Sequence, residues 1–127
     1  MKDEQVQRYA RHIQLPDIGG LGQVSVLVAS AKLPLRDVEP RAELIAATFL
    51  AAGGVGTLVV PSSTDVQRTE LALHGPDTKV VADGKGRDVP LGPRPVWWPQ
   101  ADGDGEALAY WRGGIAAAIW LAEAASK

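Results

Sequence analysis

Arg41-Ala42-Glu43-Leu44-Ile45-Ala46-Ala47-Thr48-Phe49-Leu50-Ala51-Ala52-Gly53-Gly54-Val55-Gly56-Thr57-Leu58-Val59-Val60-Pro61 changes its period halfway along. From Arg41 to Ala52, the residues Leu44, Ile45, Thr48, Phe49 and Ala52 fall on one stripe, as in an amphipathic helix. Pro40 stands just ahead of it, where a first helical turn tolerates proline. Gly53-Gly54-Val55-Gly56 ends the helix. Thr57 to Val60 is a short apolar run closed by Pro61 and reads as a buried strand. Upstream, Val24 to Ala29 is another almost uniformly apolar run and reads as an earlier strand, with Ser30 to Glu39 as the loop after it. Strand, helix and strand over residues 24–61 make a βαβ unit, whose crossover is right-handed. The fold expected is α/β: a small Rossmann-like three-layer domain with a short, mostly parallel sheet of three or four strands flanked by helices.

The flanks extend this frame within a single domain spanning 1–127. Residues 1–23 form a helical arm: Val6, Tyr9, Ala10 and Ile13 recur at helical spacing over 3–14, and Asp3 and Glu4 suit the positive N-terminal end. Pro16 stops that helix, and Asp17-Ile18-Gly19-Gly20 is turn chemistry. Ser62 to Leu73 reads as a loop entering a short helix, and Lys79-Val80-Val81 as a third strand. Asp83 to Gly105 is rich in Gly, Pro and Asp and reads as irregular chain, with Val96-Trp97-Trp98 as a brief strand inside it. Residues 106–125 form a long Ala-rich C-terminal helix with Leu108, Trp111, Ile115, Ile119 and Ala122 on its apolar face.

Composition narrows the function classes. Hydrophobic residues make up 46% and charged residues 22% of the 127, the balance of a soluble globular chain. The formal net charge is −2 and no basic stripe with interleaved aromatics occurs, so nucleic acid is not an expected partner. There is no cysteine, hence no disulfide, no thiolate nucleophile and no Cys-based zinc site. The start carries no signal-peptide pattern, and no apolar run approaches the roughly 20 residues needed to span a bilayer. The expected compartment is the cytoplasm.

Few residues suggest chemistry by themselves. His12 and His74 stand far apart and are not at metal-ligand spacing. Ser62-Ser63-Thr64 suits a helix cap better than a phosphate site. Asp102-Gly103-Asp104-Gly105 lacks the distal Glu of a calcium loop and reads as a turn. Arg8 and Arg11 share a helix face, where ion pairs to Asp3 or Glu4 compete with a phosphate-binding role. Four tryptophans against one phenylalanine is an unusual balance; Trp111 and Trp120 lie nine residues apart and so do not share a face. Subunit contact and core packing both stay open for them.

Arg8-Tyr9-Ala10-Arg11-His12-Ile13-Gln14-Leu15-Pro16-Asp17-Ile18-Gly19-Gly20-Leu21-Gly22-Gln23 resembles the opening of the ThiF/MoeB/HesA enzymes. Those enzymes adenylate the C-terminus of ubiquitin-like and sulfur-carrier proteins and typically begin R-Y-x-R-x-I-x-L-P-x-I-G-x-x-G-Q. Three later stretches are similar to the family in the same order: Phe49 to Leu58 to its "LAAAGVGTL" junction, Asp65-Val66-Gln67-Arg68 to the tail of "NLQRQ", and Gly113 to Ala124 to its late helix. Together they cover about half the chain.

The departures from that pattern carry the functional expectation. The family's first strand is followed by a Gly-rich turn that lets backbone amides approach phosphate. Here the segment after the first predicted strand, Ala29-Ser30-Ala31-Lys32-Leu33-Pro34, has no glycine, and Pro34 has no N–H to give. Pro61-Ser62-Ser63 replaces the acidic ribose-binding residues, and Asp65 stands where the family has Asn. The Mg²⁺-binding Asp has no counterpart, and the zinc and catalytic cysteines cannot exist in this chain. The resemblance therefore implies a shortened, degenerate, non-catalytic member with no cofactor and no metal. It would form a homodimer or heterodimer, or bind a ThiF-like enzyme or a ubiquitin-like carrier.

By resemblance, Arg11 first and Arg8 second would reach a neighbour's nucleotide phosphates, with guanidinium suited to paired phosphate oxygens. Tyr9, Ile13, Trp111 and Trp120 are the interface candidates. The alternative is a compact adenylating enzyme, with Lys32, Arg36 and Arg68 holding ATP and Mg²⁺ in place of backbone donors. A third reading is a peptide-binding module that uses a sheet edge.

Overall fold

The computed structural model describes residues 2–9, 19–35, 42–92 and 105–126. In chain order they form α1 (Asp3–Arg8), α2 (Gly19–Val28), β1 (Ser30–Lys32), α3 (Ala42–Ala52), β2 (Thr57–Val59), α4 (Asp65–His74), β3 (Lys79–Val81), β4 (Arg87–Asp88) and α5 (Gly105–Ala125). The four strands make one all-parallel sheet in the order β3-β2-β1-β4, and the fold is a small Rossmann-like α/β domain.

The chain steps from β1 to β2 through α3 and from β2 to β3 through α4, both in the same direction along the sheet. Right-handed crossovers put both helices on one face, and α3 indeed packs against α4 as well as α5. Leu58 and Val59 of β2 are both buried. Adjacent strand residues point to opposite faces, so both faces of the sheet are covered at its centre. The core joins Val26, Leu33, Leu35, Leu50, Leu58 and Trp120, with alanines of α3 and α5 between them.

Several expectations match this arrangement: the helix ending at Ala52, the strand from Thr57, the strand at Lys79–Val81 and the long C-terminal helix. The first strand does not. Residues 24–28 belong to α2, and the strand is Ser30–Lys32, in the segment expected as loop. A six-residue apolar run is compatible with either element, and tertiary docking decides. The buried Gln23 side chain donates to the Gly53 carbonyl at 2.9 Å, and the Gly56 N–H donates to the Val26 carbonyl at 3.1 Å. Helical geometry brings residues 23 and 26 together on the face that meets this junction. The segment expected as irregular chain around a brief strand at Val96–Trp98 contains β4 at Arg87–Asp88.

The buried faces of two helices also differ from the expected stripes. Helix α3 buries Ala42, Glu43, Ala46, Ala47, Leu50 and Ala51, while Phe49 and Ala52 are exposed. Helix α5 buries Ala109, Gly113, Ala116, Ala117, Trp120, Leu121 and Ala124, while Ile115 and Ile119 are exposed. The cause is close approach of the two helices. A Cβ on Gly113 would lie 2.6 Å from the Ala42 carbonyl oxygen and 2.9 Å from Ile45. Small side chains make that contact and leave the bulky ones outside. Phe49 and Tyr110 meet there edge to face, 6.0 Å between ring centres.

Among the described residues no helix is long and apolar enough to cross a membrane. The second half of the first predicted helix and the Val96–Trp98 strand lie outside the described residues.

Candidate functional site

An open parallel sheet takes its ligand at the carboxyl ends of its strands, where neighbouring connections leave in opposite directions. In the order β3-β2-β1-β4 that place lies between β1 and β4. Three strands end in the same way along this edge of the sheet. Leu33-Pro34 follows β1, Val60-Pro61 follows β2 and Val89-Pro90 follows β4.

The first amide after each strand is already committed. The Leu33 N–H donates to the Val59 carbonyl at 2.9 Å, Val60 to Val81 at 2.8 Å, and Val89 to Lys32 at 3.1 Å. The next residue in each case is a proline, which has no N–H. The Ser63 N–H, two residues beyond Pro61, is bound to the Val60 carbonyl at 3.1 Å. Leu33 and Leu35 after β1 and Val89 after β4 are buried and belong to the hydrophobic core. An anion cradle needs several free, convergent backbone donors, and these strand ends are built from apolar side chains and imino nitrogens instead.

The shift of β1 relocates the sequence argument without reversing it. The segment that follows the strand is now Leu33 to Arg41, which contains two prolines and no glycine. Its residues 36–41, including the candidate Arg36, lie outside the described set.

The remaining candidates are dispersed. Lys32 ends β1, half-buried, with its backbone paired to Val59 and Asp88. Arg68 sits in the first turn of α4, whose start is fixed by a reciprocal cap. The Gln67 N–H donates to the Thr64 hydroxyl at 3.1 Å, and the Thr64 N–H donates to the Gln67 side chain at 2.9 Å. The Arg68 guanidinium is filled by its own loop: it donates to the Ser63 carbonyl and hydroxyl, both at 2.8 Å, and pairs with Asp65. Trp120 is buried in the core, where Arg87 stacks on its ring at 4.6 Å and its indole N–H donates to the Arg87 carbonyl. Trp111 is half-buried on α5. Arg11 and Ile13 lie outside the described residues.

Arg8 and Tyr9 meet at a residue the sequence reading missed. Both converge on Asp77, in the turn between α4 and β3, not on Asp3 or Glu4. The Tyr9 hydroxyl donates to Asp77 Oδ2 at 2.6 Å, Gln5 donates to Oδ1 at 3.2 Å, and Arg8 forms an ion pair with the same carboxylate. The Tyr9 ring is buried over Gly54, whose φ of +85° and bare Cα are both required: a Cβ there would lie 2.5 Å from the ring. Nothing in local spacing links position 9 to position 77; only the fold brings them together.

Burial, and then the hydrogen bond to Asp77, push the Tyr9 phenol up to about 12. Burial alone would raise Asp77, but the hydrogen bonds from Tyr9, Gln5 and Arg8 outweigh it and hold the carboxyl below its ordinary value. A depressed carboxyl stabilises the fold fully above its unfolded value, near pH 4, and the contribution fades as pH falls through the folded value. Asp77→Ala should therefore cost about 1–3 kcal/mol at neutral pH, the scale for orphaning a buried hydroxyl. The gap to the wild type should narrow below about pH 4. Urea unfolding of both proteins at neutral and acid pH measures it.

Two hollows stand out among the described residues. One of about 350 Å³ lies between α2 and α5 at the amino ends of β1 and β4. The other, about 270 Å³, is lined by Leu91, Ile115 and Ile119. Among the described residues no group of three or more His, Asp or Glu side chains stands close enough to hold a metal ion. No family model and no curated protein matches the chain.

Proposed function

We propose that this protein is a non-catalytic relative of the ThiF/MoeB/HesA enzymes, a pseudoenzyme that acts in the cytoplasm as a protein-binding subunit. Its partner is an active ThiF-like enzyme, a ubiquitin-like or sulfur-carrier protein, or a second copy of itself, and it needs no nucleotide or metal of its own. The ordered motifs from Arg8 to Ala124 support the relationship. The observation that carries the loss of catalysis is the row of strand ends at Leu33-Pro34, Val60-Pro61 and Val89-Pro90, with every first amide already bonded. The alternative, phosphate held by Lys32, Arg36 and Arg68, is disfavoured because Arg68 is engaged by Ser63 and Asp65.

In this reading the arm lends an arginine to a neighbour's nucleotide. Arg8 is engaged by Asp77 within the chain, which leaves Arg11 as the residue offered. The test is co-purification with a ThiF-like enzyme and its carrier, followed by pyrophosphate release. Arg11→Ala is expected to keep the complex and lower the rate by about 10²-fold, the scale of one lost transition-state donor. Absence of a complex with either protein, or an unchanged rate in Arg11→Ala, contradicts the proposal.

A further inference from the structure

We infer that Asp77 is a positioning residue: its carboxylate fixes the N-terminal arm, and with it the place from which Arg11 is offered to the partner's nucleotide. The inference rests on the reading above for the role of Arg11 and adds the residue through which that arginine acts.

Helix α1 has six residues, none of them buried. Helices shorter than about 12–15 residues are marginal in water without tertiary support, so α1 needs an anchor. Among the described residues, every hydrogen bond or ion pair from residues 2–8 to the body of the fold ends on Asp77. Both ends of the helix are tied to it. At the start, the Gln5 side-chain oxygen accepts from the Lys2 N–H at 3.0 Å, and its nitrogen donates to Asp77 Oδ1 at 3.2 Å. At the end, the Arg8 guanidinium and the Tyr9 hydroxyl both donate to Asp77 Oδ2.

Asp77 is itself firmly held. On one side, Gly75 sets its bare Cα against α3: a Cβ there would lie 2.3 Å from the Ala51 carbonyl oxygen. On the other, the buried Thr78 hydroxyl donates to the Val55 carbonyl at 2.6 Å, and the Lys79 N–H donates to the Gly56 carbonyl at 3.0 Å. The carboxylate therefore projects from a turn clamped to the same Gly53–Gly56 junction that receives the Tyr9 ring. A functional group is only as well placed as the shell that supports it. Arg11 follows Tyr9 by two residues, at most about 7 Å of chain, so releasing the clasp releases the arginine. A displacement of about 1 Å can cost about 10²-fold in rate.

The test is pyrophosphate release by the complex described above, with the ThiF-like enzyme saturated by this chain so that weakened binding does not enter. Asp77→Ala is expected to lower the rate by about 10-fold or more. Added to Arg11→Ala, it should change the rate by less than about twofold, because Asp77 acts only through Arg11; a loss of folded protein would multiply instead. Hydrogen exchange of the full chain alone reads the arm directly. The Val6 and Tyr9 amides are bonded within the arm, both at 3.0 Å. In Asp77→Ala they should exchange as fast as in unfolded peptide, while the Leu58 amide of β2 stays protected. An Asp77→Ala protein as fast as wild type, beside a slow Arg11→Ala protein, overturns the inference and leaves the activating-enzyme reading standing. So do losses that multiply in the double variant, or arm amides that stay protected in Asp77→Ala. An Arg11→Ala protein as fast as wild type, or no complex at all, overturns that reading itself and the positioning role with it.

Discussion

Trp120→Ala is expected to lower the stability of the chain by about 3–5 kcal/mol, the range for truncating a fully enclosed aromatic. The indole lies in the core with Leu121 and Ala124. It also joins α5 to the edge strand: its N–H donates to the Arg87 carbonyl at 3.3 Å, and the Arg87 guanidinium returns a bond to the Trp120 carbonyl at 3.1 Å while stacking on the ring. Alanine removes the packing and the stacking surface together. For a domain of this size the Tm should fall by roughly 10–20 °C. Trp120→Phe keeps most of the buried surface and should recover more than half of that loss. Guanidinium unfolding of the three proteins measures the series, and a Trp120→Ala protein within about 1 kcal/mol of wild type would contradict the packing described.

Gly56→Ala should be nearly as damaging, although it adds a single carbon. That carbon would lie 2.3 Å from the Leu27 carbonyl oxygen and 2.9 Å from its carbonyl carbon. Both are backbone atoms, so no rotamer change relieves the clash. Retreat of α2 would stretch the bonds from Gly56 N–H to Val26 and from Thr57 N–H to Ala29, at 3.1 and 3.0 Å. Overpacking costs of about 1–3 kcal/mol apply where side chains give way. A clash confined to backbone belongs at or above the upper end. Gly92→Ala, with nothing within 4 Å of the added carbon, is the control and should be neutral. Equal Tm values for the two variants would contradict the docking of α2.

These two positions show what the sequence reveals and what it conceals. The end of α3, the break at Gly53–Gly56 and the strand at Thr57 were legible because glycine, proline and β-branched residues mark them locally. The identity of residues 24–28 was not. Their apolar run fits a strand or a helix, and the choice rests on Gln23 reaching Gly53 and on Gly56 admitting Leu27. The inner faces of α3 and α5 were misjudged for a related reason. Hydrophobicity favours Phe49, Ile115 and Ile119 as core, whereas contact at Gly113 requires Ala42 and Ala46. Size overrides hydrophobicity where two helices touch closely.

The candidate site was legible in composition more than in geometry. Pro34 and Pro61 were visible as breakers, but their alignment with Pro90 at one edge needs the sheet order. The clasp of Gln5, Arg8 and Tyr9 on Asp77 joins residues about seventy positions apart and leaves no periodic trace.

Calorimetric titration of the purified full chain with ATP and Mg²⁺ tests the proposed absence of a phosphate cradle most directly. The prediction is no saturable heat and no rise in Tm at roughly 5 mM nucleotide, since a ligand that does not bind the folded chain cannot stabilise it. A saturable heat accompanied by a Tm increase of several degrees, abolished by Lys32→Ala or Arg68→Ala, would contradict it.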